Sequence, residues 1–247
     1  MASDLAIPAR GGSGLFFSNF IKNHMNNFNR IAVIGGTGKS GVYLVKELLR
    51  QNFKIKLLIR NPEKIPPVHP NMEVVFGDVL DKDALQQLVS DCVGLISTLG
   101  AGNPYSGPTL FSKATKLILE VLVEHHISRY LVVTGLNVDT ELDQKGTTTK
   151  TATDWMYANY PDSTKDRQLE YELLCASELE WTLVRLPLIA QTDEAPKIVV
   201  SLSDCPGQHI SATSLARFLI HALQDGSHLK EAPFIANFES IDNQTGR

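Results

Sequence analysis

The chain contains 247 residues, of which 43% are hydrophobic, and it carries a formal net charge of −4. This length fits one large α/β domain or two small ones. The slightly acidic balance gives no basic face of the kind that nucleic-acid-binding proteins present. No run of about 18 apolar residues occurs, so we expect no membrane-spanning segment. We therefore expect neither a nucleic acid nor a membrane among the partners.

The three cysteines, Cys92, Cys175 and Cys205, are far apart and odd in number. They fit neither a disulfide framework nor the spacing of a zinc site, so we predict no bound metal. Unpaired thiols are typical of a reducing compartment, which indicates a cytoplasmic protein.

Residues 1–24 differ in composition from the rest of the chain. The stretch MASDLAIPARGGSG is linker-like, and the apolar residues after it are interrupted by Ser18, Asn19 and Lys22. This interruption, with no small-residue cleavage site behind it, does not match a secretory signal peptide. We expect residues 1–24 to be a vector-derived or disordered leader and residues 25–247 to form the domain.

Short apolar segments alternate with amphipathic helical segments from residue 29 onward. The predicted strands are RIAVIG, KIKLLIR, MEVVFGD, CVGLISTLG, RYLVVTG and EWTLVRLPLI, with a last short strand, APFIAN. The predicted helices include KSGVYLVKELLRQN, DKDALQQLVSD, GPTLFSKATKLILEVLVEHHI, STKDRQLEYELLCASE and SATSLARFLIHALQD. This alternation predicts a parallel sheet with helices on both faces. The predicted fold class is α/β, a Rossmann-like, doubly wound parallel sheet in a single domain.

Two stretches lack a regular pattern, the Thr-rich residues 137–161 and residues 191–197. Both follow strands in the second half of the chain, where a lid or a substrate-binding loop would lie. They are equally compatible with ordinary surface loops.

A glycine-rich loop, GGTGKSG, lies between the first strand, which ends at Ile34, and a helix that begins near Lys39. One glycine of such a loop makes the tight turn, one lets the backbone approach a pyrophosphate, and one lets the helix pack against the strand. The helix N-terminus then offers N–H groups to the phosphates. A purely structural turn is the alternative. We predict that the loop binds a dinucleotide through Gly35, Thr37, Gly38, Lys39, Ser40 and Gly41.

The residue at the end of the second strand indicates whether a dinucleotide-binding site prefers NAD or NADP. In NAD-binding versions an acidic residue there holds the ribose 2′-hydroxyl, whereas this chain has Arg60, followed by Lys64 one helical turn later. A guanidinium and an ammonium suit a 2′-phosphate, and Lys39 adds a third cation. We therefore predict NADP(H) as the cofactor, with solvated loop charges at Arg60 and Lys64 as the alternative.

Several segments occur together in an order typical of one family. IAVIGGTGKSG, LLIRNPEK, VVFGDVLD, LISTLG, RYLVVTG and WTLVRLP follow one another as in atypical short-chain dehydrogenase/reductases. The sequence most resembles the NmrA-like group, which includes biliverdin reductase B, a flavin reductase. The likeness extends over roughly residues 29–238.

The resemblance supports the loop and the 2′-phosphate residues above, and it implies further cofactor contacts. These are Asp78 and Val79 beside the adenine, Thr98, Leu99 and Gly100 beside the ribose and pyrophosphate, Thr134 near the nicotinamide, and Pro187 and Leu188 at the carboxamide. All of them follow predicted strands, where ligands bind in open parallel sheets. Asp78 could instead serve the next helix, although Asp81 is better placed for that. The Thr134 hydroxyl could instead be buried and bonded to backbone.

The chain lacks the Tyr-x-x-x-Lys pair with which classical members of the superfamily transfer a proton. Tyr157 is followed four residues later by Pro161, and Tyr160 by Thr164. The sequence therefore shows no conventional acid/base pair, and the catalytic residue that the resemblance suggests is Thr134.

Another group of polar residues lies on the helix before the sixth strand, where some relatives place a functional residue. These are Lys165, Arg167 and Tyr171. Their alternative interpretation is a polar, solvated helix face.

The sequence predicts an NADPH-dependent reductase of a planar acceptor such as a flavin or quinone. Hydride transfer needs orientation and a water-poor pocket more than a protein acid, so the missing pair is compatible with it. One alternative is an NADP(H)-binding redox sensor of the NmrA type without turnover. A third, disfavoured by the missing pair, is an isomerase or epimerase. We expect a small-molecule acceptor as the partner, and the resemblance allows a monomer.

Overall fold

The computed structural model of the protein describes residues 30–101 and 107–238, so the predicted leader at residues 1–24 lies outside the described residues. The strands of the described part are β1 (Arg30–Ile34), β2 (Lys54–Ile59), β3 (Met72–Phe76), β4 (Cys92–Ser97), β5 (Arg129–Gly135), β6 (Glu180–Leu186), β7 (Leu188–Ala190), β8 (Ile198–Ser201), β9 (His209–Ser211) and β10 (Phe234–Asn237). Its helices are α1 (Gly41–Arg50), α2 (Lys82–Val89), α3 (Leu110–Glu124), α4 (Thr147–Asn159), α5 (Pro161–Cys175) and α6 (Ala212–Asp225).

Eight of these strands form one sheet in the order β3-β2-β1-β4-β5-β6-β10-β8. Neighbouring strands run parallel except β8, which pairs antiparallel with β10. The strand order reverses between β1 and β4, which is the point where open α/β sheets bind ligands. The predicted Rossmann-like parallel sheet is confirmed, with one antiparallel strand added at its edge.

Helices cover both faces of this sheet and bury two apolar layers. On one face Phe111 of α3 packs with Tyr130 and Trp181 of the sheet. On the other face Leu44 of α1 and Leu219 of α6 belong to a second buried cluster. Because the central strands are buried on both faces, they have continuous apolar sequences such as IAVI. None of the described helices is long and apolar enough to cross a bilayer.

The start of α1 differs from the starts of α2 and α6. Asp81 caps α2 by accepting hydrogen bonds from the N–H groups of Asp83 and Ala84, and Ser211 caps α6 through Ser214. Ser40 occupies the same position before α1 without making such a bond. The first turn of α1 therefore keeps N–H groups that its own cap does not satisfy.

The prediction of an irregular stretch over residues 137–161 was wrong in its second half, which contains the helix α4. Only Thr149 and Thr153 of this helix are fully buried. The helix therefore lacks the apolar stripe by which sequence periodicity reveals a helix. Pro161 then begins α5 directly, at a position that suits proline.

Residues 191–197 are irregular, as predicted, but several bonds hold them in place. The Thr213 hydroxyl of α6 donates to the Thr192 carbonyl at 2.8 Å, and the Asn237 side chain donates to the Pro196 carbonyl at 3.1 Å. The predicted sixth strand, EWTLVRLPLI, is divided at Pro187 into β6 and the short β7. The strands β8 and β9 were not predicted, because they have only four and three residues.

Candidate cofactor-binding and active site

A cleft of about 800 Å³ runs along the carboxyl ends of the parallel strands. Most of the predicted site residues line it: Gly35, Thr37, Gly38, Lys39, Ser40, Arg60, Lys64, Asp78, Val79, Thr98, Leu99, Gly100, Thr134 and Pro187. Gly41 and Leu188 do not. The volume lies within the range of about 300–1,000 Å³ that is usual for ligand sites.

Three of the four glycines in the loop have different surroundings that bear on ligand binding. Gly35 has a φ of +78°, and a Cβ there would lie 2.6 Å from the carbonyl oxygen of Thr98. A Cβ on Gly41 would lie 2.0 Å from the carbonyl oxygen of Gly35, so this glycine lets α1 pack against the loop. A Cβ on Gly38 would meet only the Gly35 oxygen, at 3.2 Å, among the described residues. The backbone at Gly38 is therefore open to a ligand, as the motif requires.

The start of α1 can hold an anion. Its first turn contains no acidic residue, and Ser40 does not cap it. Thr37 and Lys39 line the cleft beside this helix end. Unsatisfied N–H groups and the positive end of a helix dipole favour phosphate, so this part of the cleft suits a pyrophosphate.

Arg60 and Asp78 face each other at the rim of the cleft, at the ends of β2 and β3. The Arg60 Nη1 lies 3.7 Å from the Asp78 Oδ2, and both side chains are partly exposed. An exposed ion pair of this kind contributes only about 0–1 kcal/mol. A doubly charged phosphate can therefore compete with the carboxylate for the guanidinium. Asp78 also accepts from the Leu80 N–H, within a turn that precedes the Asp81 cap.

The other end of the cleft is apolar, and Thr134 lies in it. Leu110, Val133, Leu186 and Ile189 line this end. Thr134 is 4% exposed, and its hydroxyl has no hydrogen-bond partner among the described residues. The burial in the alternative interpretation is therefore confirmed, and the described residues supply no backbone partner for the hydroxyl. Buried hydroxyl groups normally have a partner, and one without a partner is a candidate ligand contact.

Leu188 is not among the residues that line the cleft, and its predicted backbone contact with the carboxamide stays a prediction. It begins β7 with a largely exposed side chain, and its N–H donates to the carbonyl of Gln208 at 3.2 Å. Pro187 and Ile189 line the cleft on either side of it. Successive residues of an extended strand point in opposite directions, which puts Leu188 outside. The sequence prediction placed Ile189 at the end of the sixth strand but did not assign it to the site.

Of the polar residues predicted on the helix before β6, only Arg167 lines the cleft. Lys165 is exposed, so the interpretation as a solvated face holds for it. Tyr171 packs edge-on against Trp181 with ring centroids 5.9 Å apart, and burial raises the pKa of its phenol. Tyr157 and Tyr160 are not among the described residues that line the cleft.

A buried ion cluster fixes the loop that follows β5. Arg185 of β6 is fully buried and donates to the Asp143 carboxylate at 2.6 Å. The Lys145 ammonium lies 3.5 Å from the same carboxylate and 2.6 Å from that of Asp139. Burial lowers the pKa of Arg185, and Asp143 opposes that shift. The cluster holds the loop beside the end of β5, where Thr134 lies, and sequence patterns gave no sign of it.

The chemistry of the cleft fits a nicotinamide dinucleotide from end to end. The rim at Arg60 suits the adenosine 2′-phosphate, the open Gly38 and the uncapped α1 suit the pyrophosphate, and the Thr134 hydroxyl lies in an apolar end that suits the nicotinamide. A metal site is not indicated: the described residues contain no group of three or more His, Cys, Asp or Glu that could hold an ion.

Solved structures share this fold over most of the chain. A short-chain dehydrogenase/reductase from Veillonella parvula in complex with NADP has a TM-score of 0.70 at 18% identity, covering 85% of this chain and 94% of that one. ChuY, an anaerobillin reductase from Escherichia coli O157:H7, has a TM-score of 0.69 at 16% identity, covering 86% and 98%. The oxidoreductase ylbE from Lactococcus lactis has a TM-score of 0.69 at 14% identity, covering 85% and 92%. At these identities the likeness shows the fold.

Comparison of the sequence with known proteins gives a short match and a family model. An uncharacterised protein of Sinorhizobium fredii, y4nG, is 40% identical over 58 residues, which are 24% of this chain and 14% of that protein. The chain thus spans only a small part of this relative's length. A family model described as NAD(P)H-binding matches residues 35–226, from the glycine loop to the end of α6. This model covers well over half of the chain, so the chain belongs to the NAD(P)H-binding family.

Proposed function

We propose that the protein is an NADPH-dependent reductase of a planar acceptor such as a flavin or quinone. The observation that supports this most is the change in polarity from one end of the cleft to the other. Its rim and middle carry Arg60, Lys39 and an uncapped helix start, whereas its far end is apolar apart from Thr134 and Arg167. A cofactor laid along the strand ends would therefore present its nicotinamide to an apolar compartment.

The cations at the rim support NADP(H) over NAD(H). Arg60 and Lys64 both line the cleft at the end that follows β2, and Lys39 lines it in the glycine loop. The acidic residue that would hold a free 2′-hydroxyl is not at the end of β2. Asp78 is the nearby carboxylate, and it faces Arg60.

A bound NADPH supplies the hydride, and the chain supplies position and exclusion of water. Leu110, Val133 and Leu186 keep the far end of the cleft apolar. The Thr134 hydroxyl can donate to an oxygen of the carboxamide or of the acceptor. Flavins and quinones delocalise the charge that they gain and can take their proton from solvent, so they need no tyrosine acid.

The test is oxidation of NADPH by a panel of flavins and quinones, followed by the loss of NADPH absorbance, together with titration of cofactor binding. We expect slow turnover with at least one acceptor and none with NADH at equal concentration. Tight binding of NADPH without turnover across the panel would favour the redox sensor of the NmrA type. Weak binding of both cofactors would contradict both functions.

We further propose that the acceptor is a small molecule and that the protein is a cytoplasmic monomer without nucleic-acid or membrane partners. The net charge of −4 supports the absence of a nucleic-acid partner, because it provides no electrostatic attraction for a polyanion. Light scattering of the purified protein tests the monomer.

A further inference from the structure

Arg167 is the one charged side chain among the described residues at the far end of the cleft. The other charged residues that line the cleft, Lys39, Arg60, Lys64 and Asp78, belong to the glycine loop and the rim. The Arg167 side chain is 11% exposed. Burying a cation among apolar side chains costs free energy unless a charged or hydrogen-bonding partner compensates for the lost water.

The guanidinium of Arg167 is held in a fixed orientation. Its Cζ lies 3.4 Å from the centroid of the Phe111 ring. Nη1 donates to the Glu170 carboxylate at 2.6 Å, and Nη2 donates to the Leu99 carbonyl at 2.6 Å. Glu170 in turn accepts from the Thr115 hydroxyl at 3.0 Å. These contacts pre-organise the guanidinium, so a ligand that binds to it does not have to order the side chain.

Arg167 makes fewer protein hydrogen bonds than the two arginines that serve the core. Arg185 makes four, to Asp143 and to three backbone carbonyls. Arg129 also makes four, to Thr182 and to three backbone carbonyls. Neither of them lines the cleft. Arg167 makes two, so three of its five N–H donors have no protein partner among the described residues.

The phosphates of the cofactor are not the natural partner of these donors. Arg167 lies with Phe111 on the sheet face that α3 and α5 cover. The glycine loop leads instead into α1, which packs on the opposite face. An acceptor beside the nicotinamide, at the apolar end of the cleft, would meet no other charged side chain among the described residues that line it.

We infer that Arg167 selects acceptors that carry an acidic substituent, a carboxylate or a phosphate, on their planar ring. This rests on the proposed function, because it assigns the acceptor class of the same cleft. A guanidinium binds both acids through paired N–H groups. Glu170 balances the charge of Arg167 in the ligand-free protein. The remaining N–H donors of Arg167 can bind the oxygens of an acid.

The test measures binding rather than turnover, with the protein saturated with NADP⁺. Two flavin pairs share the isoalloxazine ring and differ by one acidic group: FMN against riboflavin (a phosphate), and a carboxymethyl flavin against lumiflavin (a carboxylate). Quenching of flavin fluorescence gives the dissociation constants. We expect the acid of at least one pair to bind about tenfold to a hundredfold more tightly than its neutral partner, as for a charge-assisted hydrogen bond. The pair that shows the preference identifies the acid.

Four variants separate recognition from structure. Arg167→Gln should bring the ratio of the two dissociation constants close to one, and Arg167→Lys should leave an intermediate ratio. Glu170→Gln, which removes the balancing charge and keeps the cation, should preserve or increase the preference for the acid. A merely structural ion pair would make Arg167→Gln and Glu170→Gln behave alike. Lys165→Gln, an equal loss of charge on the exposed side of α5, is the control and should leave the ratio unchanged.

The inference is overturned if the wild type binds acid and neutral flavins equally, binds none of the four, or keeps its preference in Arg167→Gln. A loss of NADP⁺ affinity in Arg167→Gln with the preference intact would assign the guanidinium to the cofactor instead. Acid-selective binding without NADPH oxidation would contradict the reductase function and support the recognition of acids by Arg167. Turnover without a preference for acids would support the reductase function and contradict the role of Arg167.

Discussion

The backbone N–H of Thr98 donates to the carbonyl oxygen of Ile34 at 3.0 Å, and the Thr98 hydroxyl donates to the same oxygen at 3.2 Å. This pair joins the ends of β1 and β4, the two strands between which the order of the sheet reverses. It fixes the start of the glycine loop at Gly35 against the wall that begins at Thr98. The cofactor site is therefore built into the sheet before any ligand binds.

Gly38→Val should abolish NADPH binding and leave the protein folded. Gly38 has no positive φ, and a Cβ there would meet only the Gly35 oxygen, so the added methyl groups would occupy the space of the pyrophosphate. Cofactor titration and thermal unfolding measure the two effects. Gly41→Ala is the contrasting variant, because its Cβ would lie 2.0 Å from the Gly35 oxygen and should lower stability as well. Tight NADPH binding by Gly38→Val would show that the phosphates bind elsewhere.

Arg60→Ala should weaken NADPH binding by about tenfold to a hundredfold and NADH binding much less. Only NADPH presents the 2′-phosphate, and a charge-assisted hydrogen bond contributes about 1.5–3 kcal/mol. Asp78→Asn is the matched variant, since it removes the carboxylate that lies 3.7 Å from the Arg60 guanidinium and should not weaken NADPH binding. Titration with both cofactors decides the question. Equal losses for NADPH and NADH in Arg60→Ala would place its effect on the fold or the pyrophosphate.

The sequence predicted the strand ends of the cleft because their signals are local. A glycine loop between a strand and a helix, and polar residues after buried strands, can be read without knowing what packs against them. The helix α4 escaped prediction because its buried positions hold Thr149 and Thr153 rather than apolar residues. Glu170 lies on the same helix as Arg167, but the contacts of Arg167 with Phe111 and Leu99 escaped prediction because those residues come from other segments. Contacts between distant segments leave no pattern in a single sequence.

Stability should fall as pH falls through the titration of Glu47, a nearly buried carboxylate that joins α1 to α6. Hydrogen bonds from Arg50 are the largest cause that lowers its pKa to about 2, and Arg217 of α6 adds a further attraction. The depressed pKa stabilises the fold above about pH 4.5, and this contribution is lost as pH falls toward 2. Its size is about 2–3 kcal/mol.

Denaturant unfolding of Glu47→Gln and the wild type should therefore show a gap at pH 7 that shrinks by pH 3. Glu178→Gln is the control, because that side chain is 99% exposed and pairs with Lys230 at 3.4 Å only at the surface. It should change the unfolding free energy by less than about 1 kcal/mol at either pH. A gap for Glu47→Gln that is the same at pH 7 and pH 3 would show that packing, not charge, is responsible.

Thr134→Val should separate the stability of the fold from the function of the site. The Thr134 hydroxyl is buried and has no partner within residues 30–101 and 107–238, so its removal should leave the unfolding free energy of the cofactor-free protein unchanged or raise it by up to about 1 kcal/mol. Thr182→Val is the matched control. Its hydroxyl accepts from Arg129 at 2.8 Å and donates to the His228 carbonyl at 2.7 Å, so this variant should lose about 1–3 kcal/mol.

The same Thr134→Val protein should oxidise NADPH with a kcat/KM lower by about twofold to tenfold, the worth of one neutral hydrogen bond to cofactor or acceptor. Thr182→Val should keep the wild-type kcat/KM below its unfolding temperature, because Thr182 does not line the cleft. A positioned general acid typically contributes about 10²–10⁴-fold. A fall of that size in kcat for Thr134→Val, with NADPH affinity intact, would make Thr134 a dedicated proton donor. An unchanged kcat/KM with lowered stability would instead mean that its hydroxyl serves only the fold.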